Sequence, residues 1–454
     1  MLRASDQVNS PDGFAYDLDT LKTLAADILR MAAEQGATSA ELDLSESHGQ
    51  SVSVRRGEVE TIEYNRDKGV GVTVYVGTRR GHASSADLSR EALQDTVRAA
   101  VSIARHTAED DCAGLADPDL LAKRPSDLDL FHPWELAVES AIDIARECEA
   151  AALAVDPRIG NSEGATVGTH ASHFVYANSL GFIGGFPATR HSISCSVVAG
   201  KGDDMQRDDW YTVSRMRDGL EPAEAVGREA GRRAVARLGG RKITTRQCPV
   251  LFEAPIASSL LSHFASAASG GSLYRKSSFL LDSLGQPIFS PIVRIRDLAH
   301  VPRGMASSFF DDEGVATQDR EIVTAGVLNG YFLGSYSARK LGMRSTGNAG
   351  GTHNLVLEPT GESFEELLAT MGTGLLLTEM LGHGLNMVTG DYSRGAAGFW
   401  VENGAIAYPV HEITVAGNLK TMFKGIVATG SDVLVRGPRQ CGSILIDEMT
   451  VAGD

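Results

Sequence analysis

The sequence predicts an α+β protein with two domains. In the first half, helical patterns alternate with blocks of short strands, which predicts an N-terminal α/β domain of helices on antiparallel sheets at 1–240. In the second half, strand-like runs separated by glycines predict a β-rich, barrel-like C-terminal domain with a buried helix at 241–454. A chain of 454 residues with 43% hydrophobic composition is long enough for two such cores.

The first predicted element is an amphipathic helix at 21–37, because Leu21, Leu24 and Ile28 recur at helical spacing. The runs that follow alternate apolar and polar residues and predict an antiparallel meander: AELDLSES, SVSVRRG, VETIEY and GVGVTVYVG. A second helix is expected after Ser89, whose hydroxyl is suited to capping a first turn.

The predicted N-terminal domain continues with an irregular excursion at 110–131, which is rich in Asp, Pro and Leu. A strong helical pattern at 133–154 and a second strand-rich block at 159–211 come next. A further helix closes this half at Gly239 and Gly240, since glycine is common just after a helix.

The predicted C-terminal domain begins with a strand at 248–253 and an Ala/Ser-rich helix that ends at Gly270. The runs VTAGVLNGYF and ENGAIAYPV indicate hairpins, because Asn-Gly tolerates the positive φ values of a two-residue turn. The buried helix of this domain is expected at 364–381, where apolar residues are dense.

Composition excludes several classes of protein. The formal net charge of −16 disfavours direct binding to nucleic acid or to an anionic membrane. No signal-peptide pattern and no long apolar run is present, so we expect a cytoplasmic protein. The five cysteines include no C-x-x-C pair, which argues against a disulfide framework or a zinc ribbon.

One short stretch, TEMLGHGLNMVTGDYS, resembles a metal site in composition. On a helix, Glu379 and His383 at i and i+4 could reach one ion, with Asp391 as a third ligand. The alternative is a histidine that caps the end of the helix at the neighbouring glycines. A zinc site normally needs three or four ligands and a supporting shell, so the stretch alone favours the structural interpretation.

Three other groups of polar residues have structural interpretations that the sequence favours. The triplet that begins at Asp311 and precedes Gly314 is typical of a solvated turn rather than a cation site. His170 and His173 would point to opposite faces of a strand. His191 and Cys195 would share a face but lie too far apart for a catalytic pair.

Two long stretches, 310–349 and 389–426, resemble the PmbA/TldD family of metalloproteases, also called the TldD/TldE or modulator-of-gyrase family. The resemblance covers nearly the whole chain. In that family, the TldD-type subunit carries a His-Glu-x-x-x-His metal motif on the helix after the first C-terminal strand, and the PmbA/TldE-type subunit lacks it. The resemblance therefore implies a subunit of a protease that acts on unfolded or short peptides.

The metal motif is degenerate in this chain, where Ser258 and Ser259 replace the first histidine and the glutamate, and only His263 remains. A neutral hydroxyl is neither a general base for a bound water nor a normal zinc ligand. Cys441 falls beside the last strand rather than in the loop from which the metal-bearing subunit takes a cysteine. The resemblance implies no cofactor in this chain and a zinc-type divalent metal in a TldD-type partner.

The resemblance also places the stretch around His383 outside the metal motif. His383, Asp391, Tyr392 and Ser393 are then candidates for a substrate cleft rather than ligands. Glycine runs such as SGGS and GNAGG expose backbone that can pair with an extended peptide. A heterodimer with the TldD-type subunit is expected, and a homodimer of this chain alone stays open.

Two alternative functions remain at this point. The chain could be an autonomous hydrolase with a non-standard site, or a non-enzymatic modulator that binds another protein. Neither is decided by the residues alone.

Overall fold

The structure is a computed structural model that describes residues 13–123 and 126–453. The helices are α1 (Leu18–Glu34), α2 (Arg90–His106), α3 (Val138–Leu153), α4 (Ala223–Ala236), α5 (Ala254–Ala267), α6 (Gly270–Tyr274), α7 (Ser335–Lys340), α8 (Phe364–Met371) and α9 (Leu419–Lys424). The strands of the first half are β1 (Ser39–Arg55), β2 (Glu58–Val76), β3 (Arg79–Ser85), β4 (Ile159–Asn178), β5 (Ile183–Ala199) and β6 (Gln206–Ser214). The later strands are β7 (Arg246–Phe252), β8 (Ile295–Leu298), β9 (Arg320–Thr324), β10 (Val327–Leu328), β11 (Asn354–Leu357), β12 (Gly374–Leu381), β13 (Asp391–Glu402), β14 (Ala405–Asn418), β15 (Ile426–Thr429), β16 (Arg439–Gln440) and β17 (Ile444–Ala452).

The first six strands form one antiparallel sheet in the order β3-β2-β1-β4-β5-β6. Each half of this sheet has the same order of elements along the chain, a helix, three strands and a helix. The two predicted strand blocks are therefore joined through the β1–β4 pairing in a single sheet. Helices α1 and α2 pack on one half of the sheet, and α3 and α4 pack on the other.

The four short strands expected after α1 are in fact two long ones, β1 and β2, which pair along their whole length. The polar residues at 48–50 and 65–68 lie inside these strands, whereas the expected turn at Arg56 and Gly57 is present between them. On β2, every residue from 58 to 68 is exposed, so this part of the strand needs no apolar alternation. The cap at Ser89 is confirmed, because its side chain accepts a hydrogen bond from the backbone N–H of Ala92.

The excursion at 110–131 is irregular, apart from a single 3-10 turn at Pro118–Leu120. Two of its residues, 124 and 125, lie outside the described part of the chain. The segment contacts the C-terminal half, since Leu121 forms a β-bridge with Val315. In addition, the Arg339 guanidinium donates to the carbonyls of Cys112 and Gly114 at 3.3 and 3.2 Å.

The C-terminal half contains a closed barrel. Strands β14-β13-β12-β7-β17 are hydrogen bonded in order, and a β14–β17 pairing closes the ring. A separate sheet has the order β10-β9-β8-β11-β16. Helix α5 packs in the core that these elements share, through residues such as Leu260 and Phe264. The predicted β-rich, barrel-like domain is confirmed.

The helix predicted at 364–381 is wrong over its second half. Helix α8 ends at Met371, and Gly372 with φ +66 stops it. Strand β12 then lies between β7 and β13 in the barrel. Its run GLLLT is buried, and a strand buried on both faces has a continuous apolar pattern that periodicity cannot distinguish from a buried helix.

One of the two predicted Asn-Gly turns is confirmed. Asn403 and Gly404 have φ values of +52 and +76 and connect β13 to β14. In the other hairpin, β9 turns into β10 at Ala325 and Gly326, with φ values of +48 and +76, and not at its Asn-Gly pair. No helix in the described part of the chain is long and apolar enough to cross a membrane.

Candidate functional site

Helix α5 carries the three motif positions and directly follows strand β7. Its first turn is fixed by Glu253, whose carboxylate accepts from both terminal nitrogens of Arg233 at 2.8 and 3.0 Å. Arg233 belongs to α4, so this ion pair connects the N-terminal half to the start of α5. Both side chains are mostly buried. Removal of Arg233 would leave the Glu253 carboxylate without this partner, whereas Arg233 is also paired with Asp208 at 3.1 Å.

The two serines of the motif donate to their own helix. The Ser258 hydroxyl lies 3.4 Å from the carbonyl oxygen of Pro255, and the Ser259 hydroxyl lies 2.6 Å from that of Ile256. Such bonds to the preceding turn are the usual arrangement for serine inside a helix. The hydroxyls therefore satisfy the helix backbone and present no metal-binding pair.

His263 lies where the helix faces strand β13. Its ring meets the Tyr392 ring edge-on at 6.0 Å, and its Nε2 atom is buried without a hydrogen-bond partner in the described residues. Burial, together with the positive charge of Arg394, lowers the pKa of His263 to about 4. The imidazole is therefore neutral at pH 7.

These residues do not fit a zinc centre. His263 is the only imidazole among the three motif residues, and the Arg394 guanidinium places positive charge near it. A cation bound there would need additional anionic ligands. Cys441 is 1% exposed, and burial raises the pKa of its thiol to about 12, so it is not a ready thiolate ligand. Within 13–123 and 126–453, no group of three or more His, Cys, Asp or Glu side chains could hold a metal ion.

The metal site considered around His383 does not form either. Glu379 lies on strand β12, not on a helix, and its carboxylate forms an ion pair with Arg237. Asp391 accepts hydrogen bonds from Thr389 and Asn418 at 2.6 and 3.0 Å, and these two bonds lower its pKa. Since no helix ends at His383, the capping alternative is wrong as well.

The four cleft candidates divide by exposure. His383, Asp391 and Ser393 reach the surface, whereas Tyr392 is 1% exposed and its hydroxyl contacts the Met380 sulfur at 3.3 Å. The loop at 382–390 folds back onto the start of β13. The Ser393 N–H donates to the Gly384 carbonyl at 2.7 Å. This hydrogen bond holds His383, the neighbour of Gly384, close to Ser393.

The other polar groups have structural partners. Asp311 is buried, contrary to the solvated turn expected there, and its carboxylate accepts backbone N–H bonds from Glu313, Val315 and Ala349. His173 is also buried, with Nε2 3.5 Å from a carboxylate oxygen of Glu46.

His191 and Cys195 do not form a pair. The His191 Nε2 lies 2.9 Å from the His132 carbonyl oxygen. The thiol of Cys195 interacts instead with the thiol of Cys148, a residue of α3. Both residues are buried in the N-terminal half.

The two glycine runs meet in one cavity of about 530 Å³ at the C-terminal end of α5. SGGS forms the start of α6, and GNAGG lines the opposite side with Thr352 and Arg439. The Thr352 hydroxyl and the Arg439 Nε are buried atoms without a partner among the described residues. Glycine content indicated this surface, but Arg439 carried no local signal because it comes from β16, far along the chain.

Comparisons with known proteins agree with this architecture. The PmbA/TldA metallopeptidase C-terminal domain matches residues 245–453, the central domain matches 131–238 and domain 1 matches 40–104. The chain is 50% identical to Metalloprotease PmbA of Escherichia coli O157:H7, over 91% of this chain and 92% of that protein. It is 24% identical to the Metalloprotease TldD homolog of Haemophilus influenzae, over 91% and 92% of the two chains.

Solved structures share the whole fold. A crystal structure from Bacteroides thetaiotaomicron, described as a modulator of DNA gyrase, superposes with a TM-score of 0.91 at 30% identity, over 95% of this chain and 99% of that one. TldE from Thermococcus kodakarensis superposes with a TM-score of 0.83 at 18% identity, over 95% and 100%.

The fold and these matches define a member of a metallopeptidase family whose C-terminal half is built on a closed barrel. The chain belongs to the PmbA/TldD family. It is more similar to the relative named PmbA than to the one named TldD.

Proposed function

We propose that this chain is the subunit without a metal in a TldD/TldE-type cytoplasmic metalloprotease that degrades unfolded or short peptides. A TldD-type partner supplies the zinc-type metal and its activated water, and this chain completes the proteolytic cavity. The observation that supports this proposal is the state of helix α5. The helix follows strand β7 directly, and its motif residues make contacts within this chain. Ser258 and Ser259 donate to their own helix, and His263 is a neutral, half-buried ring.

The glycine-lined cavity supports a role in holding peptide. Backbone at Gly271 and Gly350, which line the cavity and are not buried, offers hydrogen bonds that do not depend on peptide side chains. Peptide backbone carbonyls could also pair with the buried, unpartnered donors of Thr352 and Arg439. A cleft of this chemistry selects extended chains, which folded proteins do not present.

Elemental analysis of the purified chain tests the missing metal site. After dialysis against buffer with trace zinc, we expect far less than one zinc per chain, and His263→Ala should not change that content, because a one-ligand site is weak. A TldD-type subunit prepared in the same way is the positive control. Close to one zinc per chain, lost in the His263→Ala variant, would contradict the proposal.

A further inference from the structure

The guanidinium of Arg439 is a charged group without a partner at the wall of the glycine-lined cavity. The residue lies on the short strand β16, whose backbone pairs with β11 through Leu355. Its side chain forms no hydrogen bond and no ion pair with any residue that the structure describes, and its Nε atom is buried. Arg436 of the same loop differs, because its guanidinium lies 3.8 Å from the centre of the Trp210 ring and pairs with Glu221 at 4.0 Å. The donors of Arg439 are therefore open to a ligand that enters the cavity.

The acidic groups closest to Arg439 in their effect are engaged elsewhere. Asp297 is fully buried, and its carboxylate accepts the His353 N–H at 2.7 Å and the Asn348 amide at 2.9 Å. Glu313, the acid among the described residues that line the cavity, accepts a backbone N–H at 2.7 Å. Burial lowers the pKa of Arg439, and the charge of Asp297 opposes this lowering only in part. A positive charge that is partly removed from water therefore has no close counter-charge.

The cavity around Arg439 has the size and polarity of a ligand site. Its volume of about 530 Å³ lies within the range of about 300–1,000 Å³ that is usual for small-molecule pockets. The hydroxyl of Thr352, a second buried group without a partner among the described residues, lines the same cavity. A guanidinium matches the two oxygens of a carboxylate, and such charge-assisted bonds are stronger than bonds to a neutral carbonyl. This end of the cavity therefore favours a carboxylate.

The cavity adjoins a larger one of about 1180 Å³, because Glu313 and Tyr336 line both. More acidic than basic side chains line the larger cavity: Glu41, Glu109, Asp110, Asp111 and Glu313 against Arg80 and Lys340. A carboxylate is repelled by this surplus of negative charge and attracted by Arg439. The charges therefore give a bound peptide a direction.

We propose that Arg439 binds the free C-terminal carboxylate of the substrate peptide, a specificity that rests on the proposed peptide-holding function of this cavity. Thr352 donates to the same carboxylate, and the peptide runs from Arg439 past Glu313 toward the larger cavity. The substrate class is then short peptides with a free C-terminus. The same sequence with a blocked C-terminus binds more weakly, because it lacks the negative charge that Arg439 pairs with.

Fluorescence anisotropy with this chain alone tests the carboxylate directly. The probe is a short peptide of Ala, Gly and Ser with a fluorophore at its N-terminus, made as the free acid and as the C-terminal amide. We expect a Kd about tenfold lower for the acid, since the amide loses a charge-assisted bond. Arg439→Gln should remove this difference. Arg190→Gln, which changes an exposed arginine of β5, is the matched control and should keep it.

An amidated peptide with one internal Glu tests the source of the carboxylate. We expect it to bind as weakly as the plain amide, because its carboxylate lies off the main chain that the glycines contact. Binding as tight as that of the free acid would mean that a side-chain acid is the ligand and would overturn the proposal. Sodium acetate should displace the free acid more strongly than sodium chloride at equal ionic strength, and equal displacement would count against a carboxylate site.

Stability measurements separate a ligand site from a structural charge. The Arg439 side chain makes no bond in the described residues, so Arg439→Gln should not lower the thermal midpoint. A lowered midpoint with an unchanged preference for the acid would assign the charge to the fold and overturn the proposal. Thr352→Val removes a buried hydroxyl without a partner, so it should preserve the midpoint and narrow the difference between acid and amide about threefold.

Kinetics of the mixture with a TldD-type subunit distinguish this specificity from the protease function itself. Amidation should raise KM about tenfold and leave kcat unchanged, and Arg439→Gln should make the two peptides equal. Equal Kd and equal KM for acid and amide, or no binding of either peptide, would overturn the carboxylate site while cleavage by the mixture still supports the protease. A mixture that cleaves nothing, although anisotropy shows the preference for the acid, would contradict the protease function and leave the site supported.

Discussion

His263 is the only motif residue with a metal-binding side chain, and its surroundings disfavour a cation. Its ring packs against Tyr392, and Arg394 adds positive charge nearby. An imidazole in such a place is held neutral, since protonation would place a second charge in a poorly solvated site. We interpret His263 as part of the packing between α5 and β13.

The lowered pKa of His263 predicts a pH dependence of stability. Between pH 6.5 and about 4 the unfolded chain binds a proton at this residue and the folded chain does not, so stability falls as the pH falls through this window. The contribution is about 2 kcal/mol after allowance for partial solvent screening. Urea unfolding at pH 7 and pH 4.5 should show a smaller acid loss for His263→Gln than for the wild type. An equal loss in both would refute the assignment.

His383 is predicted to act on substrate rather than on the fold. It is exposed and no helix ends there, so His383→Ala should leave the thermal midpoint within about 1 °C of wild type. If the loop lines the shared cavity, the variant should lower kcat/KM of the mixed enzyme, mainly through KM. A lowered midpoint with unchanged kcat/KM would assign His383 a structural role.

Local chemistry explains which site residues could be predicted from the sequence. The loss of the metal motif can be read directly from two consecutive residues of the sequence, Ser258 and Ser259. The environment of His263 is not, because Arg394 and Tyr392 reach it from a strand about 130 positions later. The burial of Asp311 was missed for the same reason, since its acceptor bonds involve the distant Ala349.

The elements of the barrel show where sequence patterns fail. The turn at Asn403-Gly404 can be predicted because a two-residue hairpin turn needs positive φ at both positions, and Asn followed by Gly is strongly preferred there. Strand β12 was predicted as a helix because a central barrel strand has no polar face to reveal its period. The closure of the barrel depends on the β14–β17 pairing, which no local pattern encodes.

The loop that carries His383 is predicted to depend on Gly384. A Cβ atom at this position would lie 1.6 Å from the Ser393 carbonyl oxygen, a contact that the backbone must move to relieve. We expect Gly384→Ala to cost about 1–3 kcal/mol and to speed hydrogen exchange across 382–393. Gly437→Ala is the control, because nothing lies within 4 Å of its Cβ position. Unchanged exchange in Gly384→Ala would show that this close packing does not hold the loop.

At the scale of the whole molecule, the two halves are joined by charged contacts around α5. Arg233 and Arg237 of the α4 end share Asp208 and reach Glu253 and Glu379 of the C-terminal half. The same elements lie beside the motif positions. The arrangement anchors the start of α5 to the N-terminal half.

Reconstitution with a TldD-type subunit from the same genome tests the central claim most directly. Cleavage of an unfolded peptide should be measured for the mixture and for each protein alone at equal concentration. The account predicts that the mixture cleaves with at least a tenfold higher kcat/KM than the sum of the two separate proteins, about 1.4 kcal/mol of transition-state stabilisation. Full activity of either protein alone, with no gain on mixing, would contradict it.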